Sequence, residues 1–199
     1  GRTVRCLLVT GLEPEAQKTM DQGQKRTPAQ VLALRGVADA SNVAAAAQLC
    51  YGYTYRLLAR KTGTDRRATI SQLAEFVDAH TETLSTAVRQ AWSLRRWDVP
   101  ARVSTAGAAY WVCAQAAPGR VAVFWGPLLD GADISLGSPQ HTLRRALFNE
   151  ARKGDRRTES RVVLAWFVKA WNAWMADQAL DVVAWRRDAE PFPMAAAME

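Results

Sequence analysis

Residues 159–178, ESRVVLAWFVKAWNAWMADQ, are the stretch that decides the fold. Apolar side chains occur on nearly every side of a 3.6-residue period, and a helix that is apolar all round is buried in the interior of a protein. We therefore predict a central buried helix. Its tryptophans Trp166, Trp171 and Trp174 are expected to fill the core rather than to form a platform on which nucleic-acid bases stack.

Capping residues and helical periods place further helices around this one. A capping hydroxyl and a first-turn proline begin a helix over residues 28–35, which Gly36 ends. Ser41 or Asn42 is predicted to cap the next helix, which reaches Arg60. The chain is thus expected to be mainly helical.

The second half of the chain repeats these signals. Ser138 and Pro139 begin a helix with one apolar face and one strongly cationic face. Two short apolar segments, residues 108–116 and 121–129, precede it, and a turn-rich loop is expected over residues 125–139. After the tryptophan-rich helix, residues 180–187 have the alternating pattern of a strand.

The first ten residues alternate apolar and polar side chains as a short strand does, and a glycine turn follows. No second strand lies nearby to pair with this one, so the chain is expected to begin inside a domain that contains a sheet. Residues 1–36 are therefore predicted to be a small N-terminal α/β remnant. Residues 37–193 are predicted to form a helical domain, and residues 194–199 a frayed tail.

The charge of the chain indicates the class of its partner. The formal net charge is +7, the isoelectric point is near 9.8, and 21 of the 26 cationic side chains are arginine. Because arginine contacts phosphate with two parallel hydrogen bonds, this composition favours a polyanion such as DNA. The alternative is a basic protein that binds no anion, since an Arg-rich and Ala-rich composition is also typical of a GC-rich genome.

Few residues suggest catalysis or metal binding. Cys6, Cys50 and Cys113 are far apart, without the close pairs of a zinc site or a disulfide framework, which favours a reducing cytoplasm. His80 and His141 have no Cys or carboxylate partner at ligand spacing. No hydrolase, nucleotide-binding or metalloprotease motif occurs. No leader or membrane span is evident, and we expect no enzyme activity, no cofactor and no metal.

The polar hexad of residues 21–26, DQGQKR, is the sharpest local feature. Gly23 permits a positive φ, so that the backbone N–H groups around Gln24 can converge, while Lys25 and Arg26 add charge just before a helix N-terminus. This geometry could hold a phosphate. The alternative is a structural turn in which Asp21 pairs with one of the two cations.

The hexad also carries a resemblance. Residues 4–36, VRCLLVTGLEPEAQKTMDQGQKRTPAQVLALRG, resemble the segment that follows the core in ParB-like proteins of the ParB/sulfiredoxin superfamily from actinobacteria and their phages, in which a D-x-G-x-K-R turn leads into a helical tail. Residues 168–185, VKAWNAWMADQALDVVAW, resemble the family more weakly. The D-G-x-H-R motif of the family core is absent, because one extra residue separates the acid from the glycine and Lys25 replaces the histidine.

The resemblance implies that the chain is the C-terminal part of a longer ParB-like polypeptide, with residues 1–36 as the end of its core. ParB-like proteins mostly bind DNA, and some hydrolyse nucleotides or act as nucleases. Any activity on nucleotide or DNA phosphates would need residues upstream of Gly1.

A candidate helix-turn-helix lies between residues 70 and 94, as two helices joined by a tight turn near His80. The exposed face of the second helix, with Arg89, could reach base edges, while other cations would contact flanking phosphates. An ordinary helical hairpin has the same spacing. The flanking cations are Arg66, Arg67, Arg95 and Arg96.

A second cationic set occupies one face of the helix after Pro139 and the loop beyond it. It could bind backbone phosphates, or it could be a solvated face that Glu150, Asp155 and Glu159 balance. Its members are Arg144, Arg145, Arg152, Lys153, Arg156 and Arg157.

These observations predict a DNA-binding protein with a regulatory, partitioning or phage-related role, which contacts phosphates through Arg-rich surfaces. The alternative is a helical interaction module that binds a second copy or another protein. In that case the tryptophan-rich helix and residues 121–136 would form the contact surface.

Overall fold

The computed structural model describes residues 26–59, 68–132, 134–153, 158–187 and 189–197. These residues form helices and contain no strand, so the mainly helical fold is confirmed. The predicted N-terminal strand and residues 21–25 of the hexad lie outside the described residues. The helices are α1 (Pro28–Leu34), α2 (Ala40–Thr54), α3 (Ile70–Arg96), α4 (Val103–Ala116), α5 (Pro118–Asp130), α6 (Pro139–Ala151) and α7 (Ser160–Met175).

Helix α1 begins as predicted. The Thr27 hydroxyl accepts the Gln30 backbone N–H at 3.3 Å, and the Gln30 side chain accepts the Thr27 backbone N–H at 2.8 Å, which completes a capping box. Gly36 follows with φ +78°. Buried Leu32 joins the common core, and α1 packs against α2 and α3. The domain boundary predicted at residue 36 stays a prediction, since residues 1–25 are not described.

The start of α2 differs from the prediction. Asp39, rather than Ser41 or Asn42, precedes the helix, and its carboxylate accepts the Asn42 side-chain N–H at 3.0 Å and the Trp92 indole N–H at 2.8 Å. The helix ends at Thr54 and does not reach Arg60. The residue that precedes α2 thus contacts a tryptophan 53 positions away, and capping preferences alone do not predict such a contact.

Helix α3 replaces the predicted helix-turn-helix. A helix-turn-helix needs a turn of about three to four residues, but only His80 departs from helical geometry here, with φ −128° and ψ 19°. The helix resumes at Thr81, whose hydroxyl donates to the Val77 carbonyl at 2.7 Å. The kink lies where the sequence predicted the break between two helices, and buried residues before and after His80 pack on the same core, but a single residue joins the two segments in place of a helix-turn-helix turn.

The central helix is α4 rather than the tryptophan-rich helix. It packs against α2, α3, α5 and α7, whereas α7 packs mainly against α4 and α6. Gly107 allows a close approach to α3, because a Cβ at this position would lie 3.1 Å from Val88 Cγ2 and 3.3 Å from Val88 Cα. Gly107 therefore permits the close contact between α4 and α3.

Helix α7 supplies part of the aromatic core. The side chain of Trp171 is fully buried, its ring lies 5.4 Å from that of Phe124, and its indole N–H donates to the Ala196 carbonyl at 2.9 Å. The ring of Phe167 stacks on Trp125 at 5.6 Å. The prediction that α7 packs into the core is confirmed.

Helix α5 continues through residues that we expected to be a loop. It includes Pro127 and ends at Asp130, where Gly131 adopts φ +77° and donates its N–H to the Pro127 carbonyl at 3.1 Å. Burial of Trp125 and Leu128 against the core holds this part of the chain in a helix. The loop therefore begins at residue 131 instead of residue 125.

The described residues after α7, 176–187 and 189–197, have neither helix nor strand, so the strand prediction for residues 180–187 is wrong. Side chains of the helical body bind this segment in place of a neighbouring strand: the Thr142 hydroxyl donates to the Leu180 carbonyl at 2.5 Å. The Ala195 N–H donates to the Tyr53 hydroxyl at 2.7 Å. Residues 194–197, predicted to be a frayed tail, thus lie against α2 and α7.

Candidate nucleic-acid interface

Four helix ends meet around one cleft of about 120 Å³. The last turn of α3 contributes Arg95, the start of α4 contributes Arg102 and Thr105, and the end of α6 and the approach to α7 contribute Glu150 and Thr158. We call the cationic surface around this cleft the basic end. It comprises Arg95 and Arg102, which line the cleft, and the cations within two residues of its lining in sequence, namely Arg96, Arg152, Lys153 and Arg161.

Local chemistry explains part of this arrangement. Arg95 and Arg96 lie in the last turn of α3, and Arg152 follows α6, where a cation interacts favourably with the negative end of the helix dipole. Arg102 differs, because it precedes the first turn of α4 at the positive end of a dipole. Helix stability alone therefore accounts for three of these four arginines.

Carboxylates neutralise only part of the basic end. The Lys153 ammonium lies 2.8 Å from the Glu150 carboxylate, and the Arg161 guanidinium lies 2.5 Å from the Glu159 carboxylate. Arg102 donates to the Ser160 hydroxyl at 3.1 Å. No carboxylate of the described residues forms an ion pair with the remaining four arginines. These are Arg95, Arg96, Arg102 and Arg152.

Glu150 is the acidic wall of the cleft. Its side chain is 11% exposed, and burial alone would raise its pKa. Hydrogen bonds from the Lys153 ammonium and from the Thr158 hydroxyl and backbone N–H outweigh that effect and hold the pKa of Glu150 below its ordinary value. The carboxylate is therefore ionised at neutral pH and fixes the approach to α7.

Replacing Glu150 with glutamine is expected to lower stability at neutral pH by about 1 kcal/mol, because an amide keeps the shape of the carboxylate but loses its charge-assisted hydrogen bonds. The folded pKa is depressed, so this contribution is fully present above pH 4.5, the ordinary pKa, and is lost as the pH falls through the lower folded value. Urea unfolding at a series of pH values measures it.

In that series the gap between wild type and Glu150→Gln should shrink as the solution becomes acidic. Glu82→Gln, an exposed change on α3, is the matched control and should leave stability unchanged. A gap that stays constant from neutral pH to pH 3 would show that the lost stability does not come from the ionised carboxylate.

Two cations that we expected to bind phosphate are used within the fold. The Arg144 guanidinium donates to the Leu128 and Leu129 carbonyls at 2.5 and 2.8 Å and thereby caps the end of α5. Arg145 donates to the Asp181 carbonyl at 2.8 Å and holds the segment after α7. Both have structural partners, and neither lines the cleft.

The structure brings together only some of the other predicted residues. Arg95 lines the cleft, and Arg96, Arg152 and Lys153 lie within two residues of its lining in sequence, whereas Arg89 is exposed on α3 and donates to the Thr86 hydroxyl at 3.0 Å. Arg26 is exposed just before α1. The remaining predicted residues lie outside the described part of the chain. They are Asp21, Gly23, Gln24, Lys25, Arg66, Arg67, Arg156 and Arg157.

Sequence reasoning did not select Arg102 and Trp97. Arg102 is an isolated cation between Pro100 and Val103, and only the meeting of α3 and α4 brings it to Arg95. Trp97 follows Arg96 directly and is 56% exposed. An exposed indole beside cations is typical of surfaces that stack nucleic-acid bases. In the sequence, the run Arg95-Arg96-Trp97 was the feature that could have indicated Trp97 as a candidate.

The two described cysteines and His80 pack within the fold. Burial raises the pKa of the Cys50 and Cys113 thiols, which keeps them protonated and unreactive. His80 packs against the rings of Phe76 and Trp111, at 4.7 and 5.3 Å. Within the described ranges no three His, Cys, Asp or Glu side chains group in a way that could hold a metal ion.

None of the described helices combines the length and the apolar character that crossing a bilayer requires. No protein-family model, no curated protein and no solved structure matches the chain.

Proposed function

We propose that this protein binds DNA through the basic end. The observation that carries the proposal is that Arg95, from the end of α3, and Arg102, from the start of α4, line one cleft, with no carboxylate of the described residues paired to them. Phosphate contacts would supply most of the affinity and would position the strand without reading its sequence.

Two further features support the proposal. The net charge of +7 draws a polyanion to the protein from a distance. The exposed indole of Trp97 lies next in sequence to Arg96, so a base could stack on it while the guanidinium groups contact neighbouring phosphates. A regulatory, partitioning or phage-related role and membership of the ParB-like proteins belong to the same proposal, and the resemblance of residues 4–36 supports both.

Measuring the affinity for random and genomic duplexes over a series of salt concentrations tests the proposal. With about four to six phosphates neutralised, the logarithm of the association constant should fall against the logarithm of salt concentration with a slope of about −4 to −5. Equal affinity for random and genomic duplexes would indicate a non-specific binder. An affinity that does not change between about 50 and 200 mM salt would contradict DNA binding by the basic end.

A second candidate function is self-association through the surface around α5. Val123 is 60% exposed and Leu136 is 88% exposed, and both line a second cleft of about 440 Å³ beside Trp174. Exposed apolar side chains grouped around a cleft are typical of surfaces that contact another protein. The tryptophans of α7 are not such a surface, because Trp171 is buried and Trp166 and Trp174 are half-buried against the core.

Replacing Val123 and Leu136 with aspartate is expected to convert a dimer into a monomer, because a second copy would have to bury two charges at its contact surface. Sedimentation velocity over a range of protein concentrations measures this. The control is Val182→Asp, at an exposed valine that does not line the second cleft. A wild-type protein that sediments as a monomer at every concentration would eliminate this candidate.

A further inference from the structure

The N-terminus of α4 lacks a capping side chain. Thr27, Thr69 and Ser138 cap α1, α3 and α6 by accepting a backbone N–H, whereas α2, α4, α5 and α7 have no side-chain cap. Arg102 occupies the corresponding position of α4, and a guanidinium has only donors, so it cannot accept any of the N–H groups of the first turn. These N–H groups lie where α4 reaches the wall of the cleft.

Arg102 also places positive charge where it is unfavourable. The first turn of a helix carries the positive end of its dipole, which attracts anions and repels cations. The chain nevertheless brings Arg102 and Arg95 to the same cleft, and neither has a carboxylate partner among the described residues. An anion bound between them would offset this repulsion and would accept the free N–H groups.

Thr105 provides an independent sign of a ligand in this cleft. It lies one turn into α4, is fully buried, and lines the cleft. Its hydroxyl has no hydrogen-bond partner. A buried hydroxyl without a partner is costly and uncommon, so its place in the wall of a cationic cleft calls for an acceptor that binds there.

We propose that the basic-end cleft binds a phosphate monoester. Two of its oxygens would accept from the guanidinium groups of Arg95 and Arg102, and a third would accept from the Thr105 hydroxyl and the first-turn N–H groups of α4. A monoester has three free oxygens for these donors, whereas a phosphodiester has two. The site does not require DNA binding, since a free phosphate has the same group.

Glu150 defines where the phosphate lies. Its carboxylate lines the same cleft, but Lys153 and Thr158 bind it on the side of α6 and α7. Repulsion between this carboxylate and the phosphate therefore places the ligand on the side of α4. The two anions would occupy opposite walls, each with its own set of donors.

Titrating inorganic phosphate into the whole chain by calorimetry, at constant ionic strength, tests the proposal. Arg102→Gln and Thr105→Val are each expected to weaken phosphate binding about tenfold or more, because each removes a hydrogen bond to a charged group. The matched control is Arg120→Gln, at an exposed arginine that stacks on Trp174 and does not line the cleft. Its affinity for phosphate should equal that of the wild type.

The melting temperature of Thr105→Val, measured with and without phosphate, distinguishes a ligand-binding threonine from a merely structural one. Valine has the shape of threonine without the hydroxyl, so the ligand-free variant should melt at the same temperature as the wild type or higher, and phosphate should raise its melting temperature less. If Thr105→Val binds phosphate as tightly as the wild type, or if the wild type binds none, the proposal is wrong. Arg95→Gln, at an exposed side chain, keeps the test valid if Thr105→Val does not fold.

The source of the phosphate is resolved with three probes: a nucleoside monophosphate, and one single-stranded oligonucleotide made with a 5′-phosphate or with a 5′-hydroxyl. If the 5′-phosphorylated strand binds more tightly than the 5′-hydroxyl strand, the ligand is the phosphorylated end of a nucleic-acid strand. If the two strands bind equally and the mononucleotide binds tightly, the ligand is a small molecule. If duplex DNA binds with the expected salt dependence while Thr105→Val changes nothing, only the phosphate site fails. If inorganic phosphate binds and duplexes do not, the result contradicts DNA binding by the basic end but leaves the phosphate site supported.

Discussion

Replacing Trp171 with alanine is expected to lower the free energy of unfolding by about 3 to 5 kcal/mol. The side chain is fully buried, its ring contacts those of Phe124 and Trp174, and its indole N–H donates to the Ala196 carbonyl. Alanine would leave a cavity between α5 and α7 and a carbonyl without its donor. Urea denaturation followed by far-ultraviolet circular dichroism measures the loss.

The matched control is Trp97→Ala, which removes an exposed indole from the end of α3. Its stability should stay within about 0.5 kcal/mol of the wild type. An equal loss in the two variants, or a loss below about 1 kcal/mol for Trp171→Ala, would show that the aromatic cluster around α7 is not the main source of core stability.

Replacing Arg95, Arg96 and Arg102 together with glutamine is expected to weaken duplex binding about 100-fold at low salt. The salt slope should also become shallower by about 3, because each lost cation releases about one counterion fewer from the DNA. All three positions lie at one end of the bundle, so their loss removes one continuous surface. Fluorescence anisotropy of a labelled duplex over a salt series measures both quantities.

A control with the same net charge separates the basic end from the charge of the whole protein. Arg89, Arg120 and Arg186 are exposed, and none of them lines the cleft. The triple glutamine variant at these positions should keep most of the affinity and most of the salt slope. Equal losses in the two triple variants would show that the protein binds through its overall charge rather than through the basic end.

Local chemistry allowed a large part of the fold to be predicted. The caps at Thr27 and Ser138 and the apolar period of α7 each depend on residues a few positions apart, and the structure confirms them. The errors arose where distant residues compete. Trp92 donates to Asp39, which precedes α2, and Gly107 allows α3 and α4 to approach closely. Neither effect is contained in a helical period or in a capping preference.

The candidate site was less predictable for the same reason. Charge runs indicated which segments are cationic, but not which guanidinium groups the fold itself would use. Arg144 was part of such a run and caps α5, whereas Arg102 stands alone in the sequence and lines the cleft. A cation contributes to a common surface only when separate helices end at the same place, and that is a property of packing.

The hydrogen bond between Tyr53 and Ala195 joins residues 142 positions apart. On a ribosome, the first of these residues leaves the exit tunnel long before the second is made. Contacts across so much sequence form late, because closing the intervening loop costs entropy before the contact returns any stabilisation. During synthesis, part of the surface of α2 and its neighbours therefore stays uncovered until the C-terminal segment is made. Nascent chains stalled before residue 195 would be the form most prone to proteolysis and chaperone capture.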